Sequence, residues 1–191
     1  SSVDWDTHKQ LHHLLTNHLL DLNYKILFVE NTGTRSFKIT DIGRVKNRLK
    51  NILRAKTNFI RINHKLTILS PLFIPFHFNF FFKIINNLLI FDKINYWNKK
   101  NDTRNTVLIS FLPNPITENI FKNLNASVKI YFMADDMTIN APDRKLIESC
   151  EKRIVKLSDY IFYTSEYLKK KLDPILKNNQ ILSSGVNYND Y

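Results

Sequence analysis

Glycine is scarce in this sequence, which has only Gly33, Gly43 and Gly185 among its 191 residues. The dinucleotide fingerprint Gly-x-Gly-x-x-Gly and the Walker A loop both need closely spaced glycines, because their backbones approach a phosphate without an intervening side chain. No two of these glycines are close enough in sequence to form either motif. The sequence therefore predicts no nucleotide site built on a glycine-rich loop.

Cysteine and long apolar runs are scarce as well. The single Cys150 has no partner for an internal disulfide, and a lone cysteine in a sequence without a signal peptide is typical of a reducing compartment. The longest uncharged stretch, residues 66–82, is interrupted by Pro71 and Pro75, so it does not favour a membrane-spanning helix. We expect one domain over residues 1–191, cytoplasmic and either soluble or peripheral on the inner face of a membrane.

Acidic residues are outnumbered, with 17 Asp and Glu against 28 Lys and Arg and a formal net charge of +11. The excess is concentrated in residues 35–65, where Asp41 is the only acid. Such a segment attracts phosphate groups, whether of lipid headgroups, nucleotides or nucleic acid. Its basic residues are Arg35, Lys38, Arg44, Lys46, Arg48, Lys50, Arg54, Lys56, Arg61 and Lys65.

Short apolar runs alternate with helical patterns along the chain. Runs without polar alternation are typical of strands covered on both faces, and strands that alternate with helices favour a parallel sheet. We therefore expect an α/β fold with a doubly wound, Rossmann-like parallel sheet. The predicted strands are residues 1–6, 25–31, 66–70, 106–112, 128–134, 160–164 and 180–183. The predicted helices are residues 7–22, 80–97, 117–124, 142–157 and 166–176, and a basic helix that carries the apolar stripe at positions 42–53.

Two adjacent carboxylates end the most apolar of these runs. Residues 128–134 lead directly into Asp135 and Asp136, and parallel sheets bind ligands beyond the carboxyl ends of their strands. Three roles fit the acid pair: a divalent metal site, contact with ligand hydroxyl groups, or capping of the following segment. Adjacent strand residues point to opposite faces, so a shared metal ion would need a turn that brings both carboxylates together.

The ends of the predicted strands resemble a known family when they are taken in order. The chain contains SSVDWDTHKQLHHLL, KILFVENTGTR, LSPLFIPF, ISFLPNP, IYFMADDM, SDYIFYTSEYL and ILSSGVNYNDY. Together they resemble the amino-terminal, acceptor-side domain of GT-B glycosyltransferases of the large retaining family four, over essentially the whole chain. Ser184-Gly185-Val186-Asn187 is similar to the family's Asn-Gly-Val-Asp signature, with Ser184 and Asn187 departing from it. Asp4-Trp5-Asp6 also stands where relatives often have glycines.

The resemblance implies one half of a two-domain GT-B enzyme that transfers a sugar from a nucleotide-sugar donor. The carboxyl-terminal domain, which would hold most of the donor, is absent from this chain, so we expect the chain to be inactive alone. A sugar or lipid-linked acceptor in cell-surface polysaccharide or glycolipid assembly is the expected partner, without a metal or other cofactor. The residues expected to line the acceptor cleft are Asp4, Trp5, Glu30, Asn31, Arg35, Asn114, Asp135, Asp136, Ser165 and Glu166.

The first predicted helix carries histidines with several competing interpretations. His8 lies where inverting relatives place a histidine that removes the acceptor proton, so it is the candidate catalytic residue, but a solvated surface histidine fits equally well. His8 and His12 are four residues apart, which suits a shared zinc ion. Neither the glutamate of an HExxH motif nor a nearby cysteine accompanies them, so we expect no metal site.

The basic segment and the phenylalanines of residues 73–82 raise the question of a surface partner. Basic residues beside aromatic ones are typical of contact with an anionic membrane surface. Packing against a second domain and packing in the core explain the phenylalanines equally well. The alternative function is a non-catalytic Rossmann-like module whose basic stripe contacts nucleic acid, although nucleic acid is not the partner that we expect.

Overall fold

A three-stranded sheet begins the fold in the computed structural model, and its strands are β1 (Ile26–Val29), β2 (Phe59–Arg61) and β3 (Leu66–Leu69). The order is β1-β3-β2, with β1 parallel and β2 antiparallel to β3. The structure describes residues 1–7, 9–32, 58–71, 73–74, 78–101, 103, 105–139, 141–172 and 178–182. The predicted helix over positions 42–53 lies outside these ranges.

A four-stranded sheet follows, and it is parallel throughout. Its strands are β4 (Val107–Ser110), β5 (Val128–Met133), β6 (Tyr160–Tyr163) and β7 (Asn179–Ile181), and they are ordered as they occur in the chain. Helices flank this sheet, so the predicted α/β class with a parallel sheet is confirmed, and the topology is compatible with a Rossmann-like fold.

The antiparallel strand β2 corrects the expectation of one wholly parallel sheet. β2 and β3 form a hairpin whose turn is built by Asn63, because its Oδ1 accepts the backbone N–H groups of Lys65 and Leu66 at 2.8 Å each. The Ile62 N–H donates to the Leu66 carbonyl at 3.0 Å and closes the turn. An asparagine that bonds to the backbone two residues on is a common turn signal, and here it reverses the chain within the basic segment.

Residues 1–6 were expected to be a strand, but they form an irregular segment with a turn. The Ser1 nitrogen donates to the Val29 carbonyl at 2.8 Å, so the segment begins beside the end of β1. The Thr7 hydroxyl and N–H then both donate to the Asp4 carbonyl, at 2.7 and 3.4 Å. The turn uses backbone groups that a strand would pair with its neighbour, and the chain enters the first helix only after it.

The five helices of the described residues are α1 (Leu11–Asp21), α2 (Phe80–Lys100), α3 (Pro115–Asn123), α4 (Arg144–Leu157) and α5 (Glu166–Lys171). α1 begins later than predicted because of the turn before it. α2 begins where predicted, since Asn79 accepts the N–H groups of Phe81 and Phe82 at 3.0 and 3.4 Å and caps the helix. No helix among the described residues is both long enough and apolar enough to span a membrane.

One apolar cluster joins the two sheets. Leu69 of β3, Ile90 of α2 and Ile116 of α3 are buried together, and Leu27 of β1 and Leu108 of β4 pack against them. A second cluster lies between the parallel sheet and the helices α3, α4 and α5; its members include Phe121, Tyr131, Ile154, Ile161 and Leu168. Burial of these side chains away from water is the main favourable term that holds the helices on the sheet.

Candidate functional site

The carboxyl ends of the parallel strands from the two sheets meet at one edge of the molecule. Thr32 follows β1 and Asn114 follows β4, and the Asn114 Nδ2 donates to the Thr32 Oγ1 at 2.9 Å. Both side chains are buried. We call this side of the fold, from Glu30 across Asn114 to Ser165, the carboxyl edge. Ligands of open α/β folds bind at such an edge, where the chain leaves the strands.

The end of β1 gathers four of the predicted cleft residues. The carboxylate of Glu30 accepts the Trp5 N–H at 2.9 Å and also the hydroxyl of Ser70, which follows β3. The Asp4 Oδ1 accepts the Asn31 N–H at 3.3 Å. Asp4, Trp5, Glu30 and Asn31 are therefore neighbours, as a common cleft requires, and the carboxylates of Asp4 and Glu30 tie the irregular first segment to the strand.

Two histidines of α1 support this region from the buried side. The His12 Nε2 lies 2.7 Å from the Ser2 hydroxyl, and its ring lies 4.0 Å from that of Phe111. Burial lowers the pKa of His12 to about 3, so the imidazole is neutral at physiological pH. The ring of Trp5 packs against His13 and Phe28, at 5.2 and 5.0 Å between ring centroids. Trp5 thus contributes packing as well as a backbone donor.

Asn114 performs a structural task at the junction of the sheets. Its side chain is fully buried, and its Oδ1 accepts the Thr117 N–H at 2.9 Å, which caps α3. Pro115 stands at the first position of that helix, where its missing N–H and fixed φ suit helix initiation. The role predicted for Asn114 in acceptor binding stays a prediction. A ligand that bound the Asn114 side chain would have to displace its contacts with Thr117 and Thr32.

The two adjacent carboxylates after β5 have different environments. Asp136 is nearly buried, and its Oδ1 accepts the N–H and the hydroxyl of Thr138, at 2.9 and 2.6 Å, and forms an ion pair with Lys171. Lys171 also donates to the Thr138 hydroxyl at 2.8 Å. Burial alone raises the pKa of Asp136, but the hydrogen bonds from Lys171 and Thr138 outweigh it and hold that pKa below its usual range. Asp136 therefore holds the loop against α5.

Asp135 is exposed, and no hydrogen bond or ion pair joins its side chain to the part of the chain that the structure describes. Its neighbours come from the end of β6, because the Thr164 hydroxyl donates to the Ala134 carbonyl at 2.8 Å. Next along the chain, the Ser165 Oγ accepts the Leu168 N–H at 3.4 Å and caps α5. Glu166, in the first turn of α5, is exposed as well. Two exposed carboxylates thus follow two adjacent parallel strands.

An open cavity of about 240 Å³ lies beside Glu166. It is lined by Tyr163, Glu166, Lys169, Lys170, Leu172 and Asn179. Its wall combines an aromatic ring, a carboxylate and two ammonium groups, which are groups that can contact a polar ligand with hydroxyl or anionic substituents.

A buried carboxylic acid lies behind the loop that Asp136 holds. Glu151 of α4 accepts a 2.6 Å hydrogen bond from the Tyr131 hydroxyl of β5. Burial raises the pKa of Glu151, while the Tyr131 hydrogen bond and the charge of Lys171 lower it and the charge of Asp136 raises it further. The buried Tyr131–Glu151 pair thus lies behind the exposed part of the carboxyl edge, and the charges of Lys171 and Asp136 shift the pKa of Glu151.

Two of the predicted site residues, His8 and Arg35, lie outside the described residues, as does the Ser184–Asn187 signature. Among the residues that the structure describes, no group of three or more His, Cys, Asp or Glu side chains is placed to hold a metal ion. Several residues with a part in this edge were not predicted from the sequence, among them Ser70, Thr138 and Lys171. The only sequence signals for them are the position of Ser70 at a strand end and the run of three lysines at the end of α5.

Comparison with known proteins does not assign the chain to a family. No family model matches the chain, and no curated protein matches it. The fold places the chain in the α/β class with a parallel sheet. Its function has to be inferred from the geometry of the carboxyl edge.

Proposed function

We propose that this chain is the acceptor-binding domain of a cytoplasmic glycosyltransferase of GT-B architecture. In this proposal the enzyme transfers a sugar from a nucleotide-sugar donor to a cell-surface polysaccharide or glycolipid acceptor. The domain binds the acceptor and orients the hydroxyl group that receives the sugar. Holding the reacting groups in place removes much of the entropic barrier to a reaction between two substrates.

The observation that carries the proposal is the pair of exposed carboxylates, Asp135 and Glu166, at the ends of adjacent parallel strands. Ionised carboxylates act only as acceptors, and neighbouring sugar hydroxyls are donors that match them. The ion pair of Asp136 with Lys171 supports the site, because it fixes the loop that carries Asp135 against the helix that carries Glu166.

Each part of the edge then has a distinct task. Asp135 and Glu166 accept hydrogen bonds from acceptor hydroxyls, and the lysines beside Glu166 meet any anionic substituent of the acceptor. Asp136 and Lys171 neutralise each other, so they keep the loop in place without competing for the ligand. Glu30 holds the first segment at the other end of the edge through Trp5 and Ser70.

Saccharide binding by the chain tests the proposal. A glycan array with hexose and N-acetylhexosamine oligosaccharides identifies a bound class, and saturation-transfer NMR then measures its affinity. We expect Asp135→Asn to weaken binding by about tenfold, the loss of one charge-assisted hydrogen bond. Asp21→Asn is the matched control, since Asp21 is an exposed acid at the end of α1, near the amino end of β1. It should leave the affinity unchanged.

The same chain titrated with duplex DNA gives the opposing outcome. Phosphate-driven binding falls steeply as the salt concentration rises. DNA binding with that salt dependence, together with no binding to any glycan, would show that the acceptor proposal is wrong and that the basic segment serves nucleic acid.

A further inference from the structure

Helix α2 is apolar on two opposite faces over its first half. Its inward face buries Asn86, Ile90 and Ile94, which lie four residues apart on one side of the helix. Phe81, Ile84 and Leu88 share the opposite side, and Phe81 and Leu88 are 64% and 59% exposed. Phe80, at the start of the helix, is 79% exposed. We call Phe80, Phe81, Ile84 and Leu88 the outer face of α2.

The outer face is held outward by specific contacts. The Asn86 side chain accepts the Ile74 N–H at 2.6 Å and donates to the Ile74 carbonyl at 2.8 Å. Rotation of α2 about its axis would break both bonds and expose Ile90. The helix therefore cannot bury its outer phenylalanines by turning, and a contiguous apolar surface of this kind marks an interaction site.

The positive charge of the protein favours some partners for the outer face of α2 over others. α2 carries two exposed lysines at its carboxyl end, Lys99 and Lys100, and one exposed acid, Asp92, while its other two lysines are half-buried; the whole chain carries a formal charge of +11. A second copy of the chain would bring the same positive charge, which opposes association. An anionic lipid surface is attracted instead by the lysines and arginines that lie near it.

The composition along the helix is also that of an interfacial segment. Beyond the outer face, Tyr96 is exposed, and the Lys100 ammonium lies 5.8 Å from the centre of its ring. Phenylalanine and leucine on one side, followed by tyrosine and lysine, are typical of helices that lie in the plane of a membrane surface. We propose that the outer face of α2 docks the protein on an anionic lipid bilayer, with Phe80 and Phe81 inserted between the lipids. This inference does not depend on glycosyl transfer.

Flotation of the 191-residue chain with lipid vesicles tests the inference. One set of vesicles is phosphatidylcholine alone, and in the other phosphatidylglycerol replaces a third of it. We expect binding to the second set that weakens at high salt, and little binding to the first. The double variant Phe81→Gln with Leu88→Gln should bind the anionic vesicles at least about tenfold more weakly, because two apolar side chains no longer leave water.

The matched control is the double variant Leu22→Gln with Tyr24→Gln, whose native side chains are exposed to a similar extent between α1 and β1. It should bind like the unchanged chain. Both variants alter exposed side chains, and far-UV circular dichroism checks that each is folded. Equal binding of all three proteins to anionic vesicles, or no binding by any of them, overturns the inference. A dimer in analytical ultracentrifugation that the Phe81 and Leu88 changes dissociate also overturns it, since a second copy would then cover the face.

Discussion

The Tyr131 hydroxyl of β5 donates a 2.6 Å hydrogen bond to Glu151 of α4, and each of the two side chains is only 1% exposed. Burial is the main cause that raises the pKa of both groups. The bond ties a central strand of the parallel sheet to the helix that covers it. Because the partners are 20 residues apart, it forms only when that helix packs on the sheet.

Replacing Glu151 by Gln should flatten the pH dependence of stability. The pKa of Glu151 is raised above its ordinary value of 4.5, so its contribution to folding is fully present below pH 4.5 and is lost as the pH rises through the raised value. Glutamine accepts the same Tyr131 hydrogen bond but does not ionise. Urea unfolding at several pH values between 4 and 8 measures the difference from the unchanged chain.

Glu148→Gln is the control, because Glu148 is only partly buried on the same helix and its ion pair with Arg144 lowers its pKa. The effect of Glu148→Gln on the pH dependence of stability should be small and opposite in sign to that of Glu151→Gln. If Glu151→Gln keeps the slope of the unchanged chain across this range, the buried acid does not titrate as its environment predicts.

The two carboxylates after β5 should differ in their effect on stability. Asp136→Asn removes the negative partner of Lys171 at a nearly buried site, and we expect it to lower the free energy of unfolding by about 1–3 kcal/mol. Asp135→Asn should change it by less than about 0.5 kcal/mol, since Asp135 is exposed. Chemical denaturation of both variants at pH 7 makes the comparison, and equal losses would contradict the assigned roles.

Acid should remove the contribution of Asp136. Its pKa is held below the ordinary value of 3.8, so this stabilisation is present above pH 3.8 and is lost as the pH falls through the lowered value. The difference in unfolding free energy between the unchanged chain and Asp136→Asn should therefore shrink below pH 3.8. A difference that does not shrink as the pH falls would show that it does not arise from the charge of Asp136.

Asn114→Ala should destabilise the junction of the two sheets. The change removes the cap of α3 and leaves the buried Thr32 hydroxyl without its donor, so we expect a loss of about 2 kcal/mol in unfolding free energy. Asn79→Ala is the matched control, because Asn79 caps α2 at an exposed position. A cap alone contributes about 1 kcal/mol. Thermal unfolding of both variants measures whether Asn114→Ala lowers the stability more than the loss of a helix cap in Asn79→Ala does.

Cys150 should react with thiol reagents only after unfolding. Burial raises the pKa of its thiol from 9.0 to about 12, which lowers the thiolate fraction by about a thousandfold, and the thiolate is the reactive form. Labelling at pH 8 should therefore be at least that much slower in buffer than in urea, where the unfolded chain serves as the control. Fast labelling without denaturant would mean that α4 opens readily.

The parallel sheet was accessible from the sequence because β4, β5 and β6 are mainly apolar runs, of which β5 and β6 contain the buried residues. The runs that became β4, β5 and β6 lie within the predicted strands to within about two residues at each end, since continuous apolar residues have one stable environment, the interior of the sheet. The hairpin of β2 was missed because its strand is short and half exposed, and its signal, Asn63, lies inside a segment dominated by charge.

Within the candidate site, the sequence indicated where the acids lie but not what each one does. Asp135 and Asp136 are adjacent in sequence and equally acidic in isolation. Their roles separate because Lys171, 35 residues beyond Asp136, reaches only one of them. The cluster around Glu30 likewise depends on Ser70, 40 residues away. Contacts over such separations leave no periodic signal in the chain.

The sequence by itself determined the α/β class, the buried strands and the position of two acids after β5, because each follows from the local pattern of apolar and polar residues. Only the tertiary structure decided that Asp136 is paired while Asp135 faces solvent, that Asn114 joins the sheets, and that α2 turns phenylalanines outward. These features depend on hydrogen bonds and burial between segments that are distant in sequence. A polar group that is buried away from water needs a hydrogen-bond partner, and the fold determines which partner lies near it.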